Sequence, residues 1–207
     1  MSFKKPPFIN YIIILSILFT FSAFSEEKSI TFADGSTYKG EVVNGNMEGK
    51  GVLESSKNEA NQQFIYSGEF KEGKYNGKGI LEFYNGDKYI GDFINGLMHG
   101  KGIIKSISGA EFEGIFVRGN REGTGKLIFP DGVVYEGDFK KDRMEGIGKI
   151  IYEKGNEYQG EFLDNLMHGK GVITFVDGSS YKGAFLNGQY NGEGIFTFPD
   201  GTYYKGE

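Results

Sequence analysis

From Tyr38 onward the chain alternates large apolar residues with small or polar ones in short runs, and the runs recur at a fixed spacing. With an aromatic residue as position 0, Tyr66, Tyr89, Phe112, Tyr135, Tyr158, Tyr181 and Tyr204 follow at steps of 23, and Tyr38 precedes them by 28. Position 2 is glycine each time, as at Gly68, Gly91 and Gly160. Position 4 is Phe70, Phe93 or Phe162 and their equivalents, with Val42 in the first unit. Positions 11 and 13 are also glycine throughout, as in Gly77 and Gly79, Gly100 and Gly102, Gly169 and Gly171.

Positions 0 to 4 read aromatic, any, Gly, any, Phe, and positions 11 to 17 alternate in the same way, which is the period-two signature of strands. Turn pairs such as Asn85-Gly86, Asp131-Gly132 and Asp200-Gly201 separate the runs. No stretch of the unit has the length or the 3.6-residue period of a helix. Each unit therefore predicts two short antiparallel strands, with turns near positions 5–9 and 19–21. Parity places positions 0, 2 and 4 on one side together with the odd positions 11 to 17. A glycine beside a large ring lets the ring lie flat over the neighbouring backbone. Burial of these rings, at roughly 25 cal/mol per Å², stands in for a globular core, as expected of stacked supersecondary units.

The motif YxGxFxxGxxHGxGxxxxxxGxx at a period of 23 resembles the MORN (membrane occupation and recognition nexus) repeat, from Tyr38 to Glu207. The resemblance implies an all-β fold: one elongated, single-layer antiparallel sheet of stacked β-hairpins with a groove along it. It also implies a protein-binding or membrane-contact module. Seven repeats follow (38–65, 66–88, 89–111, 112–134, 135–157, 158–180, 181–203), preceded by a half-repeat at 26–37 and followed by the start of an eighth at 204–207. Ser29–Thr37 ("SITFADGST") compares with Gly194–Thr202 ("GIFTFPDGT"). Three departures stand out. Position 10, the family's histidine, is His only at His99 and His168; position 7 loses its glycine at Asp142 and Asn165; and the first unit carries five extra residues within "ESSKNEANQQ".

Residues 1–25 are of another kind. Lys4 and Lys5 precede an apolar stretch, Tyr11–Phe21, and Ala23-Phe24-Ser25 sets small residues before a cut between Ser25 and Glu26. This is the layout of a secretory signal peptide, a hydrophobic leader helix. The alternative is an uncleaved anchor across residues 6–25; in both cases the repeats are delivered outside, to the periplasm or the extracellular space. The whole chain carries a net charge of −5, and loss of two lysines with the leader makes it −7. Such an acidic chain is a poor partner for nucleic acid, where phosphate neutralisation dominates affinity. Glycine is abundant, 34 of 207 residues, but it is periodic and so marks a repeated backbone need. The absence of cysteine excludes disulfides and thiolate metal sites.

The candidates for chemistry fall within the repeat. His99 and His168 are both at position 10, three units apart. At two strands of about 4.8 Å per unit they lie on the order of 30 Å apart, too far to share a metal. "GNREGTGK" at Gly119–Lys126 has five residues between its glycines and Leu127 after the lysine, so it is not a phosphate loop. The position-3 acids (Glu41, Glu69, Asp92, Asp138, Glu161) form a column partnered by position-12 lysines (Lys50, Lys78, Lys101, Lys170). Met47, Tyr75, Met98, Met144, Met167 and Tyr190 at position 9 flank the expected groove. The expectation is a non-enzymatic exported scaffold, with no catalytic, cofactor or metal residues, that binds protein along its surface or edges. Complementary half-units at the two ends add head-to-tail self-association. The alternatives are a membrane-surface, lipid-associated module and, third, glycan binding or catalysis, for which the insert at Ser55–Gln63 is the place to look.

Overall fold

The protein is described here by a computed structural model covering residues 26–56 and 63–206. The expected leader helix, Ser25 of the cleavage site and residues 57–62 of the first-unit insert lie outside the described residues. The strands are β1 (Glu26–Thr31), β2 (Thr37–Val43), β3 (Asn46–Glu54), β4 (Phe64–Lys71), β5 (Lys74–Phe83), β6 (Lys88–Ile94), β7 (Leu97–Lys105) and β8 (Glu111–Val117). They continue as β9 (Asn120–Ile128), β10 (Val134–Lys140), β11 (Arg143–Ile151), β12 (Glu157–Leu163), β13 (Leu166–Thr174), β14 (Ser180–Leu186), β15 (Gln189–Thr197) and β16 (Tyr203–Gly206). Each pairs antiparallel with the next, so a single open sheet runs from β1 to β16 in chain order.

Both turn types follow from local sequence. The hairpin turn occupies positions 6 and 7, as at Asn95 (φ 52°) and Gly96 (φ 83°). Two successive positive φ values give a type I′ turn, whose twist matches that of the flanking strands. Between repeats the chain reverses through positions 18–21. Phe83 N donates to Asp87 O at 2.8 Å, and Gly86 N donates to Phe83 O at 2.9 Å.

Within each hairpin the register breaks once. Gly91 pairs with Gly102, but the next pair is Asp92 with His99, leaving Gly100 and Lys101 without a counterpart on β6. Those two pair on their other side with Phe116 and Ile115 of β8. A bulge of this kind bends the sheet, and the bend recurs at the same place in every repeat.

The position-2 and position-13 glycines pair with one another across every strand boundary from Gly40 in β2 to Gly206 in β16, forming a continuous glycine line. The position-0 ring of each repeat lies over its two glycines. A Cβ at Gly79 would lie 2.5–2.6 Å from the hydroxyl and ring of Tyr66. The ring hydroxyl then donates to the position-3 carbonyl, for example Tyr66 to Glu69 O at 2.9 Å and Tyr158 to Glu161 O at 2.9 Å. From Tyr66 to Tyr158 each position-0 ring also meets the position-4 rings of its own and the following repeat edge-to-face. Tyr66–Phe70, Tyr66–Phe93 and Tyr89–Phe93 have centroids 5.0, 5.1 and 5.0 Å apart. The ladder runs unbroken from Tyr38 to Tyr181. Such contacts add about 0.5–1.5 kcal/mol each beyond area burial. Tyr66, Tyr135 and Tyr158 are fully buried, which a one-layer sheet achieves because it bends around them.

The strands and turns expected of the repeat are present, and the shared ring face holds from position 13; position 11, expected on that face, falls at the bulge, where a Cβ at Gly77 would meet the Glu69 carboxylate of the other face. A second detail shifts: Ile30 lies opposite Tyr38 as Phe196 lies opposite Tyr204, so the half-repeat aligns one residue further along than Gly194–Thr202. That alignment places Lys28 at position 13, opposite Gly40, where complete repeats carry glycine.

Gly79→Ala is expected to destabilise the repeat array by roughly 3 kcal/mol, the upper end for forced overpacking. This exceeds the ~0.5–1 kcal/mol that alanine ordinarily gains over glycine. Denaturant unfolding checks it, and in a cycle with Tyr66→Ala the penalty is expected to shrink because the ring is gone. Burial, reinforced by the Asp92 or Glu161 charge, pushes the Tyr89 and Tyr158 hydroxyls up to about 12. Their unfolded value is near 10, so stability is complete below pH ~10 and falls as pH rises through about 12. An alkaline melt should show tyrosinate absorbance and loss of sheet signal together.

Candidate functional site

The sheet has two unlike faces. One carries the ring ladder, covered at its margin by the position-9 residues: Met144 is buried, and Met47, Tyr75, Met98 and Met167 pack against the core. Five of these side chains close the core, Met98 also lines an apolar cleft on this face, and the largely exposed Tyr190 lines another with Tyr181 and Tyr204. A small apolar cleft of about 320 Å³ remains on this face beside Leu81, Phe83, Tyr89 and Met98.

The opposite face holds an open trough along the glycine line. Its first section, about 770 Å³, is lined by Lys39, Glu41, Lys50, Val52, Glu69 and Lys78 around Gly40, Gly51 and Gly68. A middle section of about 440 Å³ is lined by Ile90, Lys101, Ile103, Ile115 and Lys126. A third, about 680 Å³, is lined by Lys170, Val172, Lys182, Ala184, Ile195 and Lys205.

The position-3 carboxylates of this face do structural work that the sequence reading missed. The bulge leaves the position-12 N–H without a partner in its own hairpin, and the carboxylate folds over the position-11 glycine to accept it. Glu41 takes Lys50 N at 3.0 Å, Glu69 takes Lys78 N at 3.2 Å, Asp138 takes Ile147 N at 3.0 Å and Glu161 takes Lys170 N at 2.8 Å. The expected partner was the lysine ammonium; the observed one is the lysine's backbone. Only Lys78 pairs through its side chain, with Asp92 of the following repeat at 2.8 Å. The available signal was the coincidence of an acid at position 3 with a glycine at position 11.

The family model of the MORN repeat matches seven consecutive segments: residues 38–59, 66–88, 89–111, 112–134, 135–157, 158–180 and 181–203. The chain belongs to the MORN-repeat family. Among solved structures, the TCP10 domain of CPAP from Danio rerio is 13% identical, with 88% of each chain covered and a TM-score of 0.49. The SAS-4 (dCPAP) TCP domain of Drosophila melanogaster, in complex with a proline-rich motif, is 14% identical, covering 100% of this chain and 98% of that chain at a TM-score of 0.47. No curated protein matches the chain in sequence.

The departures from the MORN motif have structural roles. At position 10, Glu48, Glu122 and Glu145 accept the position-6 N–H of the next repeat, from Glu72 at 2.9 Å, Lys141 at 2.7 Å and Asp164 at 3.4 Å. His99 and His168 stand at the same inter-repeat joint, and His168 Nδ1 is buried without a hydrogen-bond partner. Among the described residues no three His, Asp or Glu side chains converge as metal ligands would. At position 7, Asp142 and Asn165 hold positive φ (67° and 69°), which Asx residues tolerate better than others. Their side chains reach back to the preceding repeat: Asp142 Oδ1 accepts Arg121 N at 2.9 Å, and Asn165 Oδ1 accepts Met144 N at 2.8 Å. The loss of glycine at these turns is matched by a new bond between repeats.

The fourth MORN repeat differs most. Phe112 has no hydroxyl and Ile115 no carboxylate, so two of the usual ties are absent. Arg121 replaces the position-9 Met or Tyr, its guanidinium 5.4 and 5.3 Å from the ring centroids of Phe112 and Phe139. It is also paired with Asp142 at 3.2 Å.

Glu161→Ala is expected to cost about 1 kcal/mol by orphaning the Lys170 amide, and Glu161→Gln to recover most of it because the side-chain carbonyl still accepts. Thermal unfolding and exchange of the Lys170 amide proton check the pair.

Proposed function

We propose that this MORN protein is an exported, non-catalytic scaffold that binds an extended segment of a partner protein in the trough on the face opposite the rings. One observation carries the reading. The trough carboxylates Glu41 and Glu69 accept backbone amides and Glu193 pairs with Lys205, while Lys39, Lys50, Lys101, Lys170 and Lys182 stand in no ion pair among the described residues. A chain with net charge −5 thus presents unpaired ammonium groups beside Val52, Ile103, Val172 and Ile195. An extended peptide with acidic and apolar residues in alternation satisfies both, since its side chains alternate sides with the strand period. Export rests on the order of charge, apolar run and small residues across residues 1–25.

Affinity capture from the producing cell, with residues 26–207 as bait, tests the reading. A discrete partner should be retained by the wild-type chain and lost from Lys39→Glu/Lys101→Glu/Lys182→Glu. Retention by both baits would place binding elsewhere. Fractionation should recover the protein outside the cytoplasm, beginning at Glu26 when the leader is cut; a wholly cytoplasmic chain would end the export reading.

A further inference from the structure

The two long edges of the ribbon carry opposite charge and a common rhythm. The hairpin-tip edge comprises residues 43–46, 71–74, 94–97, 117–120, 140–143, 163–166 and 186–189. It holds six basic residues (Lys71, Lys74, Arg118, Lys140, Lys141, Arg143) against three acidic ones. Asp142 is paired with Arg121, outside the edge, and Asp164 with Arg143 within it, which leaves five basic residues beside Glu72. The linker edge, apart from the first repeat's linker, which lies partly outside the described residues, comprises residues 31–37, 82–88, 105–111, 128–134, 151–157, 174–180 and 197–203. It holds nine acidic residues against three basic ones. Lys88 cancels Glu82 and Lys105 cancels Glu111 within the edge, and Glu157 is paired with Lys149, which leaves six acids beside Lys154. Asp34, Asp177 and Asp200 accept hydrogen bonds inside their own turns, and Asp87 accepts from Ile107 N and Ser106 Oγ of the next linker, which holds their carboxyls below the usual range and keeps them charged into acid.

The rhythm has a period of three repeats. The cross-strand pairs at the seven successive tips are Val43–Asn46, Lys71–Lys74, Ile94–Leu97, Val117–Asn120, Lys140–Arg143, Leu163–Leu166 and Leu186–Gln189. Mixed, basic and apolar tips come in that order, and the order then repeats. The duplication of LMHGKG at a spacing of 69 belongs to the same pattern. Like charges directly opposite one another destabilise a sheet, so the basic tips are not there for the fold. Ile94, Leu97, Leu163 and Leu166 are 41–49% exposed, so the apolar tips serve no core either. On the linker edge the same period brings Ile107 and Val176, 76% and 68% exposed, to the same third and sixth repeats as the apolar tips.

We infer that copies of this chain associate side by side, the basic and apolar hairpin-tip edge of one against the acidic and apolar linker edge of the next. The occupant is a second copy because both edges belong to one ribbon. They share its rise of roughly 10 Å per repeat and its three-repeat rhythm of roughly 30 Å, so a match at one repeat recurs at the others. An unrelated partner has no reason to keep that step. The contact is heterologous and so generates either a closed ring or an open series of copies. It goes beyond the trough reading and does not depend on what binds there. Joining of the ends is disfavoured: an in-register union of β16 with β1 sets Lys28 at the position where complete repeats require glycine beneath the ring.

Sedimentation velocity of the full chain, at several concentrations in low and high salt, tests the inference. The mass should rise with concentration in low salt and fall toward that of the 23.0 kDa monomer in high salt. A tip variant (Leu97→Glu/Lys140→Glu/Leu166→Glu) and a linker variant (Ile107→Lys/Val176→Lys) should each stay monomeric alone and associate when mixed. All five positions are exposed, and circular dichroism checks that both variants fold. The salt response of the wild-type chain requires no variant. A monomer under every condition overturns the inference. So does association that persists in each single variant, which would place it at residues 1–25 or at the ends. A monomer that sediments with phosphatidylserine vesicles would assign the basic edge to lipid and overturn it as well.

Discussion

A tyrosine ring lying flat on bare backbone is the contact from which this structure is built. In each repeat the position-0 ring covers two paired glycines, and in Tyr38, Tyr66, Tyr89, Tyr135 and Tyr158 the hydroxyl is tied to a carbonyl three residues on. A single-layer sheet has nothing opposite it to fill a core, so a ring can be buried only if the sheet folds around it. Glycine gives the ring room to approach, and the two-residue bulge beside it supplies the bend. Successive rings then interlock edge-to-face through the position-4 phenylalanines, so that each repeat is stabilised by its neighbours, as in other one-dimensional arrays.

The bulge has a cost that shapes the other face. It strips a backbone amide of its ladder partner, and the position-3 carboxylate supplies the missing acceptor. A carboxylate committed in this way keeps its charge but makes no direct pair with the ammonium beside it, as at Glu41 and Lys50 or Glu161 and Lys170. The unpaired ammonium groups of the trough are in part a by-product of how the bend is satisfied. The residues that differ between repeats lie where this constraint is silent, at hairpin tips and linkers. There the sequence is free to carry charge and apolar pattern for other purposes.

Much of this could be read before any coordinates. The period of 23, the strand parity and the roles of Tyr66, Gly68, Phe70 and Gly79 follow from alternation alone, because a strand has only two sides. The bulge was less visible, since Gly77 and Gly79 at positions 11 and 13 look alike in sequence. One holds positive φ at the bulge and the other lies under a ring. The acceptor role of Glu161 was hidden for the same reason, as its partner is an amide and amides are identical in every residue. Asp142 and Asn165 read as lost glycines, and their bonds to the preceding repeat depend on how hairpins stack. Met98 and Tyr190 do line clefts on the ring face, but the longer trough lies on the other side, because parity alone does not say which side of a single layer stays open.

The most direct test of the ring-on-backbone claim is the proton chemical shift of the glycine α-hydrogens in glycine-labelled protein. Hydrogens held under a tyrosine or phenylalanine face feel its ring current. The signals of Gly79, Gly102 and Gly171 should therefore move well upfield, while those of turn glycines such as Gly45 and Gly73 stay near their ordinary values. Ordinary shifts for the glycine line in the folded protein would contradict the account.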